Sequence, residues 1–127
     1  MFYYSRNMEI LNASRSLAAL GHASRLAIFR QLVEAGHGGR MAGELAQALS
    51  MPGATLSFHL KELVAAGLIL GEARGRYVNY RADFSAMNEL IAFLTRNCCA
   101  GDAQGCGTAA PARPPRRAAA AKARSQR

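Results

Sequence analysis

Two helical patterns of apolar residues meet at a break within the stretch 41–69. In the first pattern, Leu45 and Leu49 are four residues apart and therefore share one face of a helix. The break contains Pro52, which has no backbone N–H and disfavours a helical conformation at the preceding residue. The second pattern continues at helical spacing through Leu56, Leu60, Leu63 and Val64. Together they predict two short helices around a tight turn, a helix-turn-helix.

The second helix of this motif is predicted to turn another face away from the leucines. At about 100° per residue, Thr55, Phe58 and Lys61 lie opposite the apolar stripe, and Ser57 and His59 lie on its flanks. Hydroxyl and ammonium groups can bind DNA phosphates, and a phenyl ring can contact a thymine methyl group. We expect these five residues to contact DNA. The alternatives are a solvated face for the lysine and threonine, packing on the hairpin for the phenylalanine, and a structural role for the histidine.

Two further helices are predicted before the motif. Leucines and alanines recur over residues 8–20, and Gly21 ends that helix, while residues 1–6 are expected to form an arm outside it. The glycine-rich stretch 35–39 ends the next helix, since glycine readily adopts positive φ. The apolar residues of that helix are Leu26, Phe29, Leu32 and Val33.

After the motif, the apolar period shortens to two. Residues 68–80 predict a two-stranded hairpin, with Leu68 and Leu70 on one face of its first strand. The second strand has two residues on one face, Val78 and Tyr80, and three on the other, Tyr77, Asn79 and Arg81. The turn places Arg74 and Arg76 on either side of a glycine, where two guanidinium groups can reach a DNA backbone or minor groove.

A last helix is predicted from Phe84 to about residue 97, with Asp83 as its N-cap. Its apolar stripe lies outside the compact unit and needs a partner. The simplest partner is the same helix of a second copy, together with the first helix. The sequence therefore predicts a homodimer with an interface that includes Leu11, Leu17, Met87, Leu90, Ile91 and Leu94.

The formal charge of +8 is unevenly distributed along the chain. Residues 107–127 carry six basic side chains and no acidic one, whereas the preceding 106 residues carry ten basic and eight acidic side chains. Non-specific attraction to a polyanion would come largely from residues 107–127, whereas recognition of a DNA sequence would come from the preceding residues. We expect a DNA-binding and dimerisation domain at residues 1–100, followed by a flexible basic tail at residues 101–127.

The predicted location is the cytoplasm, without a membrane partner. No apolar run approaches the roughly 20 residues that span a bilayer. The first ten residues, MFYYSRNMEI, lack the basic and apolar regions of a signal peptide.

The order helix, helix, helix-turn-helix, hairpin, helix over about residues 9–97 resembles the winged-helix repressors of the ArsR/SmtB family. The strings that carry this resemblance are LAAL (17–20), RLAI (25–28), ELA (44–46), SFHLKEL (57–63), GLI (67–69) and RGRYVNY (74–80). The resemblance implies a mainly α (α+β) fold, a winged helix-turn-helix with a two-stranded β-hairpin wing and N- and C-terminal dimerisation helices. It also implies a dimeric repressor that leaves double-stranded operator DNA when an effector binds.

Two effector sites of that family are missing from the sequence. Soft-metal sensors often carry Cys-x-Cys at the start of the helix-turn-helix, where this chain has Met-Ala-Gly at 41–43. Zinc sensors carry Asp and His ligands on the final helix, which here contains no histidine. The remaining soft-ligand cluster is Cys98, Cys99 and Cys106, which resembles the terminal Cys-Cys arrangement of some arsenite-responsive members.

Three thiolates suit a soft three-coordinate ion, whereas a tetrahedral zinc site normally needs four ligands or three and a water. We expect As(III) or Sb(III) as the inducer and no organic cofactor. Gly101 and Gly105 give the loop freedom to bring Cys106 back, so that one subunit can supply all three ligands. Closure around the ion would remodel the end of the dimerisation helix and change the spacing of the two DNA-reading helices.

Three other functions compete with metalloid sensing, and the alternative for the cysteines themselves is that they are fortuitous surface thiols in a poorly ordered tail. A redox or persulfide sensor would use Cys106 as the resolving thiol, because vicinal Cys98 and Cys99 could bridge only with strain. A non-specific architectural DNA-binding protein would depend on the basic tail. An enzyme is not expected, because the cysteines follow the C-terminal end of a helix, where the dipole disfavours a thiolate nucleophile.

Overall fold

The computed structural model describes the backbone of residues 2–101 and the side chains of residues 9–100. Within that range the helices are α1 (Phe2–Leu20), α2 (Ala23–Ala35), α3 (Ala42–Leu49), α4 (Gly53–Ala65) and α5 (Phe84–Thr95). The strands are β1 (Arg40–Met41), β2 (Ile69–Arg74) and β3 (Tyr77–Ala82). Short 3-10 turns cover Gly36–Gly38 and Cys98–Gly101. Cys106 and the basic tail lie outside the described residues.

The predicted helix-turn-helix and hairpin are confirmed, but the first helix begins and the last helix ends at other residues than predicted. Helix α1 begins at Phe2, so the expected arm at residues 1–6 is wrong. Helix α5 ends at Thr95, two residues earlier than expected, and Asn97 then adopts φ 58°, which a continuing helix does not allow. Asp83 caps α5 as predicted, since its Oδ1 accepts a hydrogen bond from the backbone N–H of Ala86 at 3.1 Å.

The sheet has a third strand that the sequence analysis missed. Strand β1 is two residues long and pairs antiparallel with β3, with Arg40 opposite Tyr80 and Met41 opposite Asn79. Strand β3 therefore lies in the centre of the order β1-β3-β2. A strand of two residues is too short to show an alternation of apolar and polar positions, so the sequence pattern does not predict it.

The hydrophobic core lies between α2, the helix-turn-helix and the base of the hairpin. Its side chains include Ile28, Phe29, Leu32, Leu45, Leu56, Leu60, Leu63, Leu68, Ile69 and Ala82. From the hairpin, Ile69 and its register partner Ala82 face inward, whereas Leu70 is exposed. The prediction that Leu68 and Leu70 share one face of the first strand is therefore wrong, because Leu68 precedes the strand and does not share its alternation.

The turn between α3 and α4 follows the chemistry of its residues. Ser50 adopts the left-handed conformation with φ 51°, and the backbone N–H of Met51 donates to Ala46 O at 2.9 Å. Pro52 precedes the first residue of α4, and its carbonyl accepts from the N–H of Leu56 at 2.9 Å. A proline fits here because the N–H groups at the start of a helix have no helical partner.

The stretch between α2 and α3 packs tightly against the hairpin. Gly39 has φ +73°, and a Cβ built on it would lie 2.3 Å from the carbonyl oxygen of Tyr80. The ring of His37 contacts the ring of Phe84 at the start of α5, with centroids 4.9 Å apart. This stretch therefore meets both the wing and the last helix.

Contacts divide the chain into a unit at 1–93 and a second unit that begins at Leu94. Of the described residues, the second unit contains the end of α5 and the turn Cys98–Gly101. In the described part of the chain, every helix is too short or too polar to cross a membrane.

Replacing Gly39 with alanine should destabilise the fold by about 3 kcal/mol or more. The new methyl group meets a backbone carbonyl that cannot move without breaking the β1–β3 pairing, and a positive φ adds strain for any residue with a Cβ. Urea unfolding followed by circular dichroism measures the loss.

Gly38→Ala is the matched control. A Cβ at Gly38 meets no atom within 4 Å, so we expect a change of no more than about 1 kcal/mol. Equal losses for the two variants would contradict the role assigned to the approach of Gly39 to Tyr80.

Candidate nucleic-acid interface and thiol cluster

Helix α4 is held by its leucines and turns a second face outward. Leu56, Leu60 and Leu63 are almost completely buried. The side chains of Thr55, Ser57, Phe58 and Lys61 are exposed, as the sequence predicted. Phe58 is 56% exposed, which is unusual for a phenyl ring in the middle of a helix. This face can meet another molecule without any change in the core.

The wing turn carries the two predicted arginines. Gly75 has φ +64°, which lets the chain reverse between Arg74 and Tyr77. Arg74 and Arg76 are both exposed. The guanidinium of Arg74 lies 3.3 Å from Glu72 Oε1, and both side chains of that pair are more than half exposed. Such a pair adds little stability, so Arg74 can exchange this carboxylate for a phosphate at low cost.

Asn79 anchors the wing to the body of the protein. It is 5% exposed, and its Nδ2 donates to Gly38 O at 2.9 Å. The hairpin pattern predicts Asn79 on the same face as Tyr77 and Arg81. Its burial beside strand β1, where Met41 is its register partner, is not visible in that pattern. A buried amide with a fixed partner holds this part of β3 against the 3-10 turn Gly36–Gly38.

His59 is the one predicted DNA contact that the structure corrects. Its side chain is 6% exposed and packs against the α1–α2 junction, so it does not belong to the outward face of α4. Its Nδ1 lies 3.4 Å from Arg25 NH1, and its ring centroid lies 4.7 Å from that of His22. The alternative structural role therefore fits, because residue 59 follows Phe58 by 100° and already faces the core.

The protonation state of this histidine follows from its partners. A guanidinium has only donors, so Nδ1 of His59 must accept and the hydrogen of the neutral ring sits on Nε2. His22 Nδ1 likewise accepts from the backbone N–H of Ser24 at 3.2 Å. Burial lowers the pKa of His59 below its ordinary value of 6.5, and the charges of His22 and Arg25 lower it further, against an opposing effect of Glu62.

Two of the three cysteines lie in the turn after α5. Cys98 is half-buried and Cys99 is exposed. Cys99 and Ala100 adopt φ 58° and 54°, a region that non-glycine residues rarely occupy. The third predicted ligand, Cys106, lies outside the described residues. Over residues 2–101, no group of three or more His, Cys, Asp or Glu side chains is arranged to hold a metal ion.

The predicted dimer residues are divided between exposed and partly buried positions. Leu11 and Ile91 are more than half exposed, and Leu17 and Leu94 are also exposed. Met87 and Leu90 are half-buried, and Met87 packs against the core of its own chain. Most of the predicted interface is therefore available on the surface of one chain, while Met87 also contributes to the fold.

Known proteins show the same sequence pattern and the same fold. A family profile described as a helix-turn-helix domain matches residues 20–72. The HTH-type transcriptional repressor SmtB of Mycobacterium tuberculosis is 46% identical over 74 residues, which are 58% of this chain and 53% of the relative. The chain thus spans about half the length of these curated relatives.

Solved structures extend the similarity to most of the described residues. An ArsR-like transcriptional regulator from Rhodococcus sp. RHA1 covers 75% of this chain and 87% of its own, at 27% identity and a TM-score of 0.63. HlyU from Vibrio cholerae covers 70% and 94%, at 26% identity and a TM-score of 0.56. The homodimeric winged helix-turn-helix DNA-binding domain of Mb0332 from Mycobacterium bovis has the same fold, with a TM-score of 0.58 at 23% identity over 72% of this chain and 84% of its own.

A helix-turn-helix followed by a hairpin with exposed arginines defines a winged helix-turn-helix protein. The SmtB relative and the ArsR-like structural neighbour show that the chain is similar to regulators of the ArsR/SmtB family. The SmtB relative and the Rhodococcus neighbour are transcriptional regulators and not enzymes, which agrees with the prediction that this chain is not an enzyme.

Proposed function

We propose that the protein is a cytoplasmic, homodimeric transcriptional repressor that binds operator DNA and releases it when As(III) or Sb(III) binds Cys98, Cys99 and Cys106. The observation that carries DNA binding is the outward face of α4, with Thr55, Ser57, Phe58 and Lys61 exposed above a buried leucine stripe. The repressor function is supported by the description of the SmtB relative.

The two exposed elements suit different parts of a DNA duplex. An α-helix fits the major groove, where a phenyl ring can contact the C5 methyl group of thymine and Lys61 can contact a phosphate or a base edge. The arginines of the wing, Arg74 and Arg76, suit the phosphate backbone or the adjacent minor groove. Specificity would then come from α4, and the wing would contribute affinity and orientation.

Dimerisation is supported by the apolar side chains exposed on α1 and α5. Leu11, Leu17, Ile91 and Leu94 would leave water if two copies paired through these helices. A two-fold dimer presents two recognition helices to two half-sites, so the operator should be a palindrome with half-sites about one helical turn apart.

The choice of ion is supported by the chemistry of the cysteines. Three thiols can replace the three oxygen ligands of arsenite, so that three As–S bonds form, three As–O bonds break and three water molecules leave without any change in oxidation state. Cys99 and Ala100 have a left-handed backbone, so a regular helix does not continue through the first two proposed ligands. Ion binding there would favour a different ending of the dimerisation helix, and DNA release follows if that ending suits the released dimer better.

The proposal is tested first on DNA, with a duplex selected by the full-length protein from a random-sequence pool. We expect a palindromic sequence that binds at least roughly a thousandfold more tightly than an unselected duplex. Lys61→Ala should lower affinity and reduce the slope of log Kd against log salt by about one, because one phosphate contact is lost.

The control for that variant is Arg30→Ala, an exposed arginine on α2 that pairs with Glu34 at 2.9 Å and lies outside the proposed interface. It should leave affinity and salt slope unchanged. If no sequence is enriched and affinity simply follows salt, the architectural alternative replaces the repressor model.

The phenyl ring of Phe58 should recognise thymine by contacting the C5 methyl group of that base. Replacing thymine by deoxyuridine at the contacted position of the selected duplex should weaken wild-type binding about fourfold, the value of one buried methyl group. Phe58→Ala should bind both duplexes equally. Val64→Ala, which truncates another exposed apolar side chain of α4, should keep the wild-type preference for thymine. If Phe58→Ala prefers the thymine duplex as strongly as the wild type does, this contact is ruled out.

The thiol site is tested by adding arsenite to the complex of protein and selected duplex. Arsenite should weaken wild-type binding by roughly 5- to 150-fold, the usual range of coupling between sites. Cys98→Ser, Cys99→Ser and Cys106→Ser should each bind DNA normally and lose most of this release. Fluorescence anisotropy of a labelled duplex measures both quantities.

Zinc, cadmium and peroxide provide the comparison. Release by peroxide but not by arsenite would favour the redox alternative. If a variant without any cysteine releases DNA as the wild type does, the sensing model is wrong even though the repressor model stands.

A further inference from the structure

Arg25 joins two helices that have different tasks in the proposed repressor. Its Nε donates to the carbonyl oxygen of Ala19 in the last turn of α1 at 2.8 Å. Its NH1 donates to Nδ1 of His59 in the middle of α4 at 3.4 Å. One half-buried guanidinium therefore links the end of a predicted dimerisation helix to the recognition helix. We refer to Arg25 and His59 together as the clasp.

The clasp depends on a neutral His59. Nδ1 can accept from Arg25 only while it carries no hydrogen, and a protonated ring would present N–H groups on both sides. The 3.4 Å contact would then become an approach of two positive charges in a site from which water is nearly excluded. Protonation therefore breaks the clasp.

We propose that Arg25 and His59 are positioning residues for DNA recognition, which hold α4 at the angle needed to read the operator, and that acid releases α4 by protonating His59. The inference rests on the proposed DNA binding. Through Arg25, it connects the end of α1 to α4, a link that neither the sequence pattern nor the thiol cluster indicates.

Three charged or titratable groups act on His59 from the elements around it. His22 approaches from the α1–α2 junction and Arg25 from α2, and both oppose a positive charge on the ring. Glu62, one turn along α4, favours that charge. Burial and the two basic neighbours outweigh Glu62, so the pKa of His59 is lowered in the closed clasp.

The direction of the pH effect follows from this shift. With the clasp open, His59 meets water and regains its ordinary pKa near 6.5. The open form then binds a proton that the closed form excludes, so the open form gains population as the pH falls below about 6.5. Operator binding, which needs the closed clasp, should be constant above that pH and weaken below it.

The test measures the affinity of the full-length protein for the selected duplex and for an unselected duplex from pH 7.5 to 5.5 at constant ionic strength. Wild-type affinity for the selected duplex should fall by up to about tenfold for each subunit, the limit for one linked proton over one pH unit. Affinity for the unselected duplex should not fall, because phosphate contacts do not need the exact angle of α4.

His59→Asn separates positioning from a merely structural role. Its Oδ1 can accept the hydrogen bond of Arg25 in place of Nδ1, but it does not titrate in this range. We expect His59→Asn to bind the selected duplex at pH 7.5 nearly as the wild type does, and to lose the pH dependence.

Arg25→Lys is the second variant, since an ammonium group lacks the two separate nitrogens, Nε and NH1, with which Arg25 contacts Ala19 O and His59 Nδ1. It should bind the selected duplex weakly at every pH, with no further loss in acid. Arg30→Lys on the same helix and His37→Asn, which removes a histidine outside the clasp, should both keep the wild-type profile.

Circular dichroism at each pH establishes that the proteins remain folded. The inference is overturned if wild-type affinity is constant between pH 7.5 and 5.5. It is also overturned if the pH dependence persists in both His59→Asn and Arg25→Lys. Either result leaves the repressor model intact. If the protein selects no DNA sequence at all, the repressor model fails first, and the inference fails with it. Should His59→Asn not fold, the comparison of wild type with Arg25→Lys decides the question.

Discussion

Burial of one stripe of leucines on α4 is the constraint on which the rest of the structure depends. Leu56, Leu60 and Leu63 are inaccessible to water and meet side chains of α2 and α3 in the core. Burying each such side chain stabilises the folded state by roughly 1.5–3 kcal/mol. Rotating α4 about its axis would expose these leucines and remove a large part of the net stability of a small domain. Because the inward face is fixed so strongly, the outward face is fixed as well. The exposure of Phe58 and Lys61 is therefore a consequence of the core rather than an independent property.

Much of the fold could be predicted because its signals are local. The spacing of the leucines in α4, the proline in the break and the glycine between two arginines each act within one turn or one hairpin. The outward positions of Thr55, Phe58 and Lys61 follow from the same periodicity, and the structure exposes all three, together with Ser57 on the flank of the stripe. Asp83 could be recognised as a cap for a similar reason, since a capping side chain bonds to a backbone N–H three residues away.

The features that escaped prediction all depend on residues far apart in sequence. Strand β1 exists because Arg40 and Met41 pair with residues 79 and 80, and the buried amide of Asn79 finds its hydrogen-bond partner at Gly38, 41 positions away. His59 stands at the margin of the leucine stripe, where a small rotation of the helix separates solvent from core. Arg25, 34 positions earlier, contacts the buried ring, and nothing near His59 in the sequence indicates that contact.

The short link between α2 and α3 has a consequence for how this protein can change over time. Surface connections usually accept insertions and deletions, since few contacts depend on their length. Here Gly39 approaches the carbonyl of Tyr80, Gly38 holds Asn79, and His37 touches Phe84. One added residue would shift all three contacts at once, so the length of this link is as constrained as that of a core helix. The turn at Gly75, where an added Cβ would meet open space, is where the chain can grow longer without disturbing its interior.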